Sequence, residues 1–253
     1  MKKITAIFMI IFSLILSLSC NNNKENSSES VENTEDKIIY VGIDAAFPPF
    51  GYLDNGNIAG FDYDIMSEIA KLTDMKVEFN QMQFAGLLPA LQTKKIDVII
   101  AGMTVTEERK EFVNFSETYY VSSQVILVHR DNNDITNFDN LEGKNVGTVI
   151  GTTGDVVMTE NEKVNTKKFD TGAQAVLSLK EKKIDAIVFD KEPCKNFAKY
   201  NEEIKLIDSD SVQEDYAIAV RKEDTSLLEN INRGISIIMT NGTYESLIEK
   251  NFK

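Results

Sequence analysis

The sequence predicts an α/β protein built from two similar lobes, and three observations carry that expectation. Leu91 to Ile100, LQTKKIDVII, recurs as Leu179 to Val188, LKEKKIDAIV: a helix end, a Lys-Lys-Ile-Asp turn and a buried strand. Each copy follows a short strand and an amphipathic helix, so a whole module repeats and not merely a turn. Apolar runs such as Val98 to Ala101 are short and unbroken, which suits strands covered on both faces, as in a parallel sheet. In the register of the repeat, Gly102 at the end of the first strand corresponds to Asp190 at the end of the second.

Composition sets outer bounds. The 253 residues, 42% hydrophobic and 26% charged, are those of an ordinary globular chain able to bury a core, as one domain or two smaller lobes. A net charge of -13 argues against a nucleic-acid partner, which needs a basic face, and gives at most a salt-screened preference for cationic ligands. The single histidine, His129, closes the apolar run Val125 to Val128 and reads as a strand-end residue, so no catalytic triad can be built around it.

At the amino terminus, Met1 to Cys20 reads as a secretory signal: Lys2 and Lys3 precede the apolar run Ile4 to Leu18. That run falls short of the ~20 apolar residues of a membrane span. Its end, Ser17-Leu18-Ser19-Cys20, resembles the lipobox of bacterial lipoproteins, in which the cysteine is lipidated and becomes the first mature residue. Leu16 and Leu18 straddle the position where that pattern carries leucine, so plain cleavage and release is the alternative. Asn21 to Asp36, with only Val31 apolar, is expected to be a disordered tether, which makes sense behind an anchor. With Cys20 lipidated, Cys194 has no partner left in the chain and is expected to be a small, partly buried residue without chemistry.

The folded part is expected from about Lys37, beginning with a strand Ile38 to Ile43 that ends at Asp44. Ala45 to Phe50, AAFPPF, is expected as a loop displaying Phe47 and Phe50, because two prolines oppose regular structure. A turn at Asp54 to Asn57 suggests a hairpin-like excursion. Helical spacing follows over Asp62 to Thr73, with Ile65, Ile69 and Leu72 on one face, then a strand Val77 to Phe79. Gln83 to Thr93 is a helix whose apolar face includes Leu87, Leu88 and Leu91, with Phe84 near its start. Beyond the strand ending at Gly102, Thr106 is a good N-cap, and Glu107 and Glu108 place negative charge on the first turn of a helix reaching Phe112. Arg109 lies beside that turn. In open α/β sheets ligands sit outside the carboxyl ends of strands, so Arg109 either holds a carboxylate or phosphate there or pairs with a neighbouring glutamate.

Phe115 to Ser123 reads as a crossing to the second lobe, leading into a strand Gln124 to Val128. Asn132 to Gly143 is a loop with a short helix. Asn145 to Ile150 is a strand ending in Gly151-Thr152-Thr153-Gly154, which offers N–H groups and hydroxyls but lacks the Gly-Lys-Thr ending of a phosphate loop. Pro193 to Tyr200 is expected to be helical, Val212 to Asp215 to cross back, and Tyr216 to Val220 to form a strand. Leu227 to Thr240 and Tyr244 to Asn251 are terminal helices separated by Asn241-Gly242. If the lobes face each other with strand ends inward, Asp44, Gly102, Gly151 to Thr153, Asp190 and the Arg109 side converge on one ligand.

Taken in order, AAFPPF, GFDYDI (Gly60 to Ile65), FAGLLPALQTKKID (Phe84 to Asp97), AGMTVTEER (Ala101 to Arg109), FSETYY, GTTG, Phe189-Asp190 and NGTYESLIEKNF resemble the extracellular solute-binding proteins of family 3, the substrate-binding proteins of polar amino-acid ABC importers. The resemblance runs from about Lys37 to Lys253. It implies a two-lobed, periplasmic-binding-protein-like fold of type II that closes on its ligand. Lobe 1 would comprise 37–119 and 217–253, lobe 2 124–212, and the hinges about 119–123 and 212–216. Carried over position by position, it implies that Arg109 pairs with a ligand α-carboxylate, helped by Thr104 and Thr153. Asp190 would take the α-ammonium beside the Gly102 carbonyl, Phe47 and Phe84 would sandwich the ligand side chain, and Asp44 would meet a polar side-chain end. Core packing for the two rings and a cap or turn role for Asp44 are the alternative readings. An acid at Asp44 favours arginine, lysine, histidine or glutamine over glutamate, and the rings would add cation–π attraction for a cationic ligand.

The expected protein is thus an extracytoplasmic, lipid-anchored monomer that delivers a polar L-amino acid to an ABC permease, with no cofactor, metal or covalent chemistry. Rivals are an enzyme on the same fold, such as a cyclohexadienyl dehydratase-like protein or a lytic transglycosylase domain, and an amino-acid-sensing surface lipoprotein.

Overall fold

The computed structural model describes residues 37–209 and 213–253. The expected signal, the tether and Cys20 lie outside the described residues, as does Val212 at the start of the return crossing.

The chain opens with strand β1 (Ile38–Ile43), an antiparallel excursion of β2 (Ala46–Phe47), β3 (Gly51–Asp54) and β4 (Asn57–Ala59), helix α1 (Phe61–Thr73), β5 (Lys76–Gln81), α2 (Phe84–Gln92), β6 (Val98–Ile99) and α3 (Glu107–Phe112). Strand β7 (Val113–His129) then runs through 17 residues without a break. After a 3-10 turn at Phe138–Leu141 come β8 (Asn145–Val149), α4 (Thr153–Glu160), β9 (Asn165–Phe169), α5 (Gly172–Lys180), β10 (Ala186–Asp190), α6 (Lys191–Tyr200) and β11 (Ile204–Ile207). Strand β12 (Gln213–Arg221) and helices α7 (Thr225–Thr240) and α8 (Thr243–Phe252) complete the chain.

One sheet path joins these strands in the order β5-β1-β6-β12-β7-β10-β8-β9, with β11 on β7. Both ends of the path carry the same parallel arrangement: β1 lies between β5 and β6, and β8 lies between β9 and β10. The sequence repeat is therefore a repeat of structure. In both copies a lysine in the left-handed region ends the helix, Lys94 at φ 60° and Lys182 at φ 56°. In both, the next lysine's N–H returns to the helix, from Lys95 to Ala90 O at 2.9 Å and from Lys183 to Ser178 O at 3.0 Å. Each aspartate then locks its strand reciprocally. Asp97 N–H donates to Tyr40 O, and its Oδ2 accepts from Tyr40 N–H at 3.0 Å. Asp185 does the same with Asn145, its Oδ2 accepting at 2.8 Å.

The long strands β7 and β12 join the two ends of the path. Val113 to Ser123 of β7 pair antiparallel with β12, and Gln124 to Val128 pair with β10. The stretch between β6 and α3 stays beside β12, because Ala217 N–H donates to Met103 O and Val105 N–H to Asp215 O. Central strands are buried on both faces: Val98, Ile99, all of β10, and Tyr216 to Arg221. Truncating Ile99 or Ile187 to alanine is accordingly expected to cost roughly 2–5 kcal/mol.

Four expectations need correcting. Ala46 and Phe47 are not loop but pair with Tyr52 and Gly51, and Phe50 is not displayed: it is fully buried, ringed by Phe47, Phe61, Tyr120, Tyr216 and Phe252. Prolines 48 and 49 form the turn that folds Phe50 back inward. Leu72 is 36% exposed, because the buried face of α1 is centred toward Met66 and Thr73 and leaves Leu72 at its margin. Of the apolar run Val98 to Ala101, only Val98–Ile99 is strand, since Gly102 at φ 56° turns the chain. Finally, the segment Gly151-Thr152-Thr153-Gly154 is not all strand end: Thr153 and Gly154 begin α4, with Thr152 as its N-cap.

Candidate functional site

Residues from the carboxyl ends of parallel strands in both copies line one narrow cavity. Asp44 follows β1, Phe84 follows β5, Gly102 and Thr104 follow β6, Thr152 and Thr153 follow β8, Thr171 and Gly172 follow β9, and Asp190 ends β10; Phe47 and Arg109 complete the wall. All eight residues expected at a ligand site are therefore brought together, in the place where open α/β sheets receive ligands.

Arg109 is held by helix geometry. Thr106 caps α3 by accepting from the Arg109 N–H at 3.2 Å, and the side chain leaves the first turn toward the cavity. It is 8% exposed and does not pair with Glu107, which takes Lys110 instead. Its Nη1 donates to Thr104 O at 2.7 Å and its Nη2 to Gly151 O at 3.0 Å, so the guanidinium ties the end of β6 to the end of β8. The guanidinium also lies over the Phe84 ring, 5.3 Å from its centroid. Burial lowers its pKa, opposed by the negative charges of Glu214 and Asp190. Thr104 thus supports Arg109 through its carbonyl rather than through its hydroxyl.

Asp44 has a turn role and lines the site as well. Its Oδ1 accepts from Ala46 N–H at 2.9 Å, an Asx turn, and it also accepts from the backbone of Phe84 at the start of α2. Burial raises its carboxyl above the ordinary range against those two bonds. The Phe47 ring stacks on Phe50 at 5.2 Å and meets Phe189 edge-on at 5.4 Å. Phe47 is therefore part of the core on one side and of the cavity wall on the other.

The turn Gly151-Thr152-Thr153 is shaped by Asp155, which the sequence did not single out. Its buried carboxylate accepts from Thr148 Oγ1 at 2.9 Å and Gly151 N–H at 3.1 Å, and Lys168 pairs with it at 3.1 Å. Asp190 is 4% exposed and accepts on Oδ1 from the Tyr216 hydroxyl and from Gln124 Nε2 at 3.2 Å. Burial and the adjoining Glu214 carboxyl push it well above the usual carboxylate range. Gln124, Glu214 and Tyr216 were missed by sequence reasoning, since they sit on crossing strands that carry no local motif. Beneath the site, Asp62 is fully buried; its Oδ1 accepts from the Tyr119 hydroxyl at 2.8 Å, which itself accepts from Gly102 N–H at 3.1 Å. Burial pushes Asp62 up to about 7. Among the described residues no group of three or more His, Cys, Asp or Glu could hold a metal ion, and Cys194 is a buried free thiol.

A probable histidine-binding protein of Campylobacter jejuni is 33% identical over 99% of this chain and 98% of its own length. The ABC transporter arginine-binding protein 1 of Escherichia coli is 30% identical over 85% of this chain and 90% of its own. Among solved structures, a P235GK mutant of ArgBP from T. maritima matches with a TM-score of 0.82 and 43% identity, covering 85% of this chain and 95% of that one. The match confirms the periplasmic-binding-protein type II fold. The model of one family matches residues 39–253, and the chain belongs to that family, the bacterial extracellular solute-binding proteins, family 3.

Proposed function

We propose that this solute-binding protein captures a polar L-amino acid, with a basic or amide side chain favoured, and passes it to an ABC importer. The observation that carries this reading is the approach to one cavity of Asp190, at the strand end of one copy of the repeat, and of Arg109, which follows the strand end of the other. A zwitterion needs its carboxylate and its ammonium paired on being taken from water, and those two residues supply the opposite charges. On binding, the ligand carboxylate takes the guanidinium that now donates to Thr104 and Gly151, while the α-ammonium takes Asp190. Asp44 then faces the end of the side chain, and the names of the relatives, a probable histidine-binding protein and an arginine-binding protein, support a donor-bearing side chain.

In this reading the two ends of the sheet path are lobes, 37–119 with 217–253 and 124–212. Hinges at about 119–123 and 212–216 let them close on the ligand. The chain acts as a monomer without covalent chemistry and is tethered to the membrane through lipid on Cys20. A thermal-shift screen against the twenty amino acids, ornithine and citrulline tests the reading, because bound ligand stabilises by an amount that rises with the logarithm of its concentration over Kd. Arginine, lysine, histidine or glutamine is expected to raise Tm and glutamate is not; no shift with any of them contradicts it. Asp44→Asn is expected to weaken arginine or lysine more than glutamine in calorimetric titration. Equal losses would remove Asp44 from side-chain selection.

A further inference from the structure

Beside the site, where β7 and β12 run together, a buried cluster carries more hydrogen-bond acceptors than donors. Glu214 on β12 and Asp190 at the end of β10 are both buried, and an oxygen of each lies within hydrogen-bond reach of the same Gln124 amide nitrogen. Two buried carboxylates held this close repel each other, which favours a single proton shared between them. Gln124 on β7 directs its Nε2 at three oxygens, Glu214 Oε2 at 2.8 Å, Asp190 Oδ1 at 3.2 Å and Thr153 Oγ1 at 3.2 Å. It has two N–H bonds for those three acceptors. Its own Oε1 is buried with no partner among the described residues.

Other groups facing the pair come from several elements. Arg109 on α3 is the cation, and Tyr216 on β12 donates its hydroxyl to Asp190. Helix α6 brings Cys194 and Glu192, the latter accepting from Ser122 of β7 at 3.2 Å. Gln124, Ser122 and, from α4, Thr153 are neutral.

We propose that Glu214 is a positioning residue for ammonium recognition: without ligand it shares one proton with Asp190, and an arriving ammonium displaces that proton to solvent. The proposal rests on the amino-acid reading above, with Asp190 as the partner of the α-ammonium. An ammonium brings three N–H donors and a positive charge into contact with Asp190, so it meets the acceptor excess that the shared proton meets otherwise. The ligand keeps its own ammonium protons, the shared proton leaves to the buffer, and Glu214 remains as a carboxylate bonded by Gln124. The ligand carboxylate lies farther from the pair and is matched by Arg109, so it offsets only part of the ammonium's effect. Because the free protein then binds one more proton than the complex, affinity strengthens as pH rises while the pair holds its proton, by up to roughly tenfold per pH unit. It levels off once the pair has lost that proton.

Calorimetric titration of the whole chain with L-arginine and L-glutamine at one pH, in phosphate and in Bis-Tris, counts the protons exchanged, since the two buffers differ in ionisation enthalpy. About one proton released per ligand at pH 6 is expected for the wild type, and close to none for Glu214→Gln, whose affinity should no longer follow pH. Asp44→Asn, which leaves the pair intact, is expected to keep the release for whichever ligand it still binds. Heats that agree between the buffers for the wild type overturn the proposal. So does a release that persists in Glu214→Gln, or one abolished in Asp44→Asn. Absence of binding by any amino acid instead overturns the reading on which it rests.

Discussion

The two copies of the repeat share a frame and differ in what they present at its end. Both stop a helix with a left-handed lysine and lock the following turn with an aspartate that takes an N–H from the neighbouring strand. Two residues past the repeated pattern they part. The first copy ends in Gly102, whose φ of 56° brings the backbone so close to Phe47 that a Cβ would lie 2.5 Å from the ring. The second ends in Asp190, with an extended backbone and a buried carboxyl. The first copy supplies bare backbone followed by a cation on Arg109, and the second supplies an acid. A duplicated frame can thus hold the two poles of a zwitterion, because the strand geometry is fixed while the residue beyond the strand is free to differ.

The difference can be broken most strongly at its charged ends. Arg109→Ala is expected to weaken amino-acid binding by roughly 2–5 kcal/mol, since a buried ligand carboxylate would lose its partner. Arg109→Lys should recover only part of this, because the planar fork that reaches both Thr104 and Gly151 is lost. Near wild-type affinity in calorimetric titration of Arg109→Ala would remove Arg109 from the site.

A comparable effect is expected on stability beneath the first copy. Asp62 takes up its proton more readily folded than unfolded, so the wild type should lose stability as pH rises from about 4 toward 7. The loss is on the order of 4 kcal/mol at most. Asp62→Asn keeps an acceptor for Tyr119 and should flatten that slope in urea melts taken across this range; an unchanged slope contradicts the assignment.

The smallest effect sharpens the likeness itself. Asp185→Asn should cost about 1 kcal/mol, the scale of one hydrogen bond to backbone. Asp97→Asn should cost more, because Asp97 also pairs at 2.8 Å with Arg221, a buried guanidinium that would keep Asp224 and the more distant Glu223 as acidic partners. Equal losses in paired denaturation curves would show that the Arg221 contact adds nothing.

How legible all this was depends on where the information lies along the chain. The repeat, the strand ends and the N-cap at Thr106 are local patterns, and they led to Asp44, Gly102, Arg109 and Asp190 before any pairing of strands was known. Gln124, Glu214 and Tyr216 reach Asp190 only because β7, β10 and β12 lie side by side, a long-range register that no short window encodes. Phe50 illustrates a different limit. An aromatic beside two prolines suits an exposed loop or a folded-back turn equally well, and only the cluster of rings that receives it decides. Helix α4 was hidden because Gly151 to Gly154 read as loop and its later residues Val156 and Val157 face outward. Asp155 escaped notice for the same reason, although it shapes the turn that Arg109 contacts.

The central claim is that the ends of the two copies grip opposite poles of one amino acid. It is tested most directly by titrating the protein with the amino acid that stabilises it best, then with that compound's α-carboxamide and its Nα-acetyl form. Loss of the carboxylate removes the partner of Arg109, and acetylation removes the charge that Asp190 answers. Each change is expected to weaken binding by at least roughly 30-fold, the equivalent of about 2 kcal/mol. Affinities that stay within a factor of two or three of the parent for either derivative would contradict the claim.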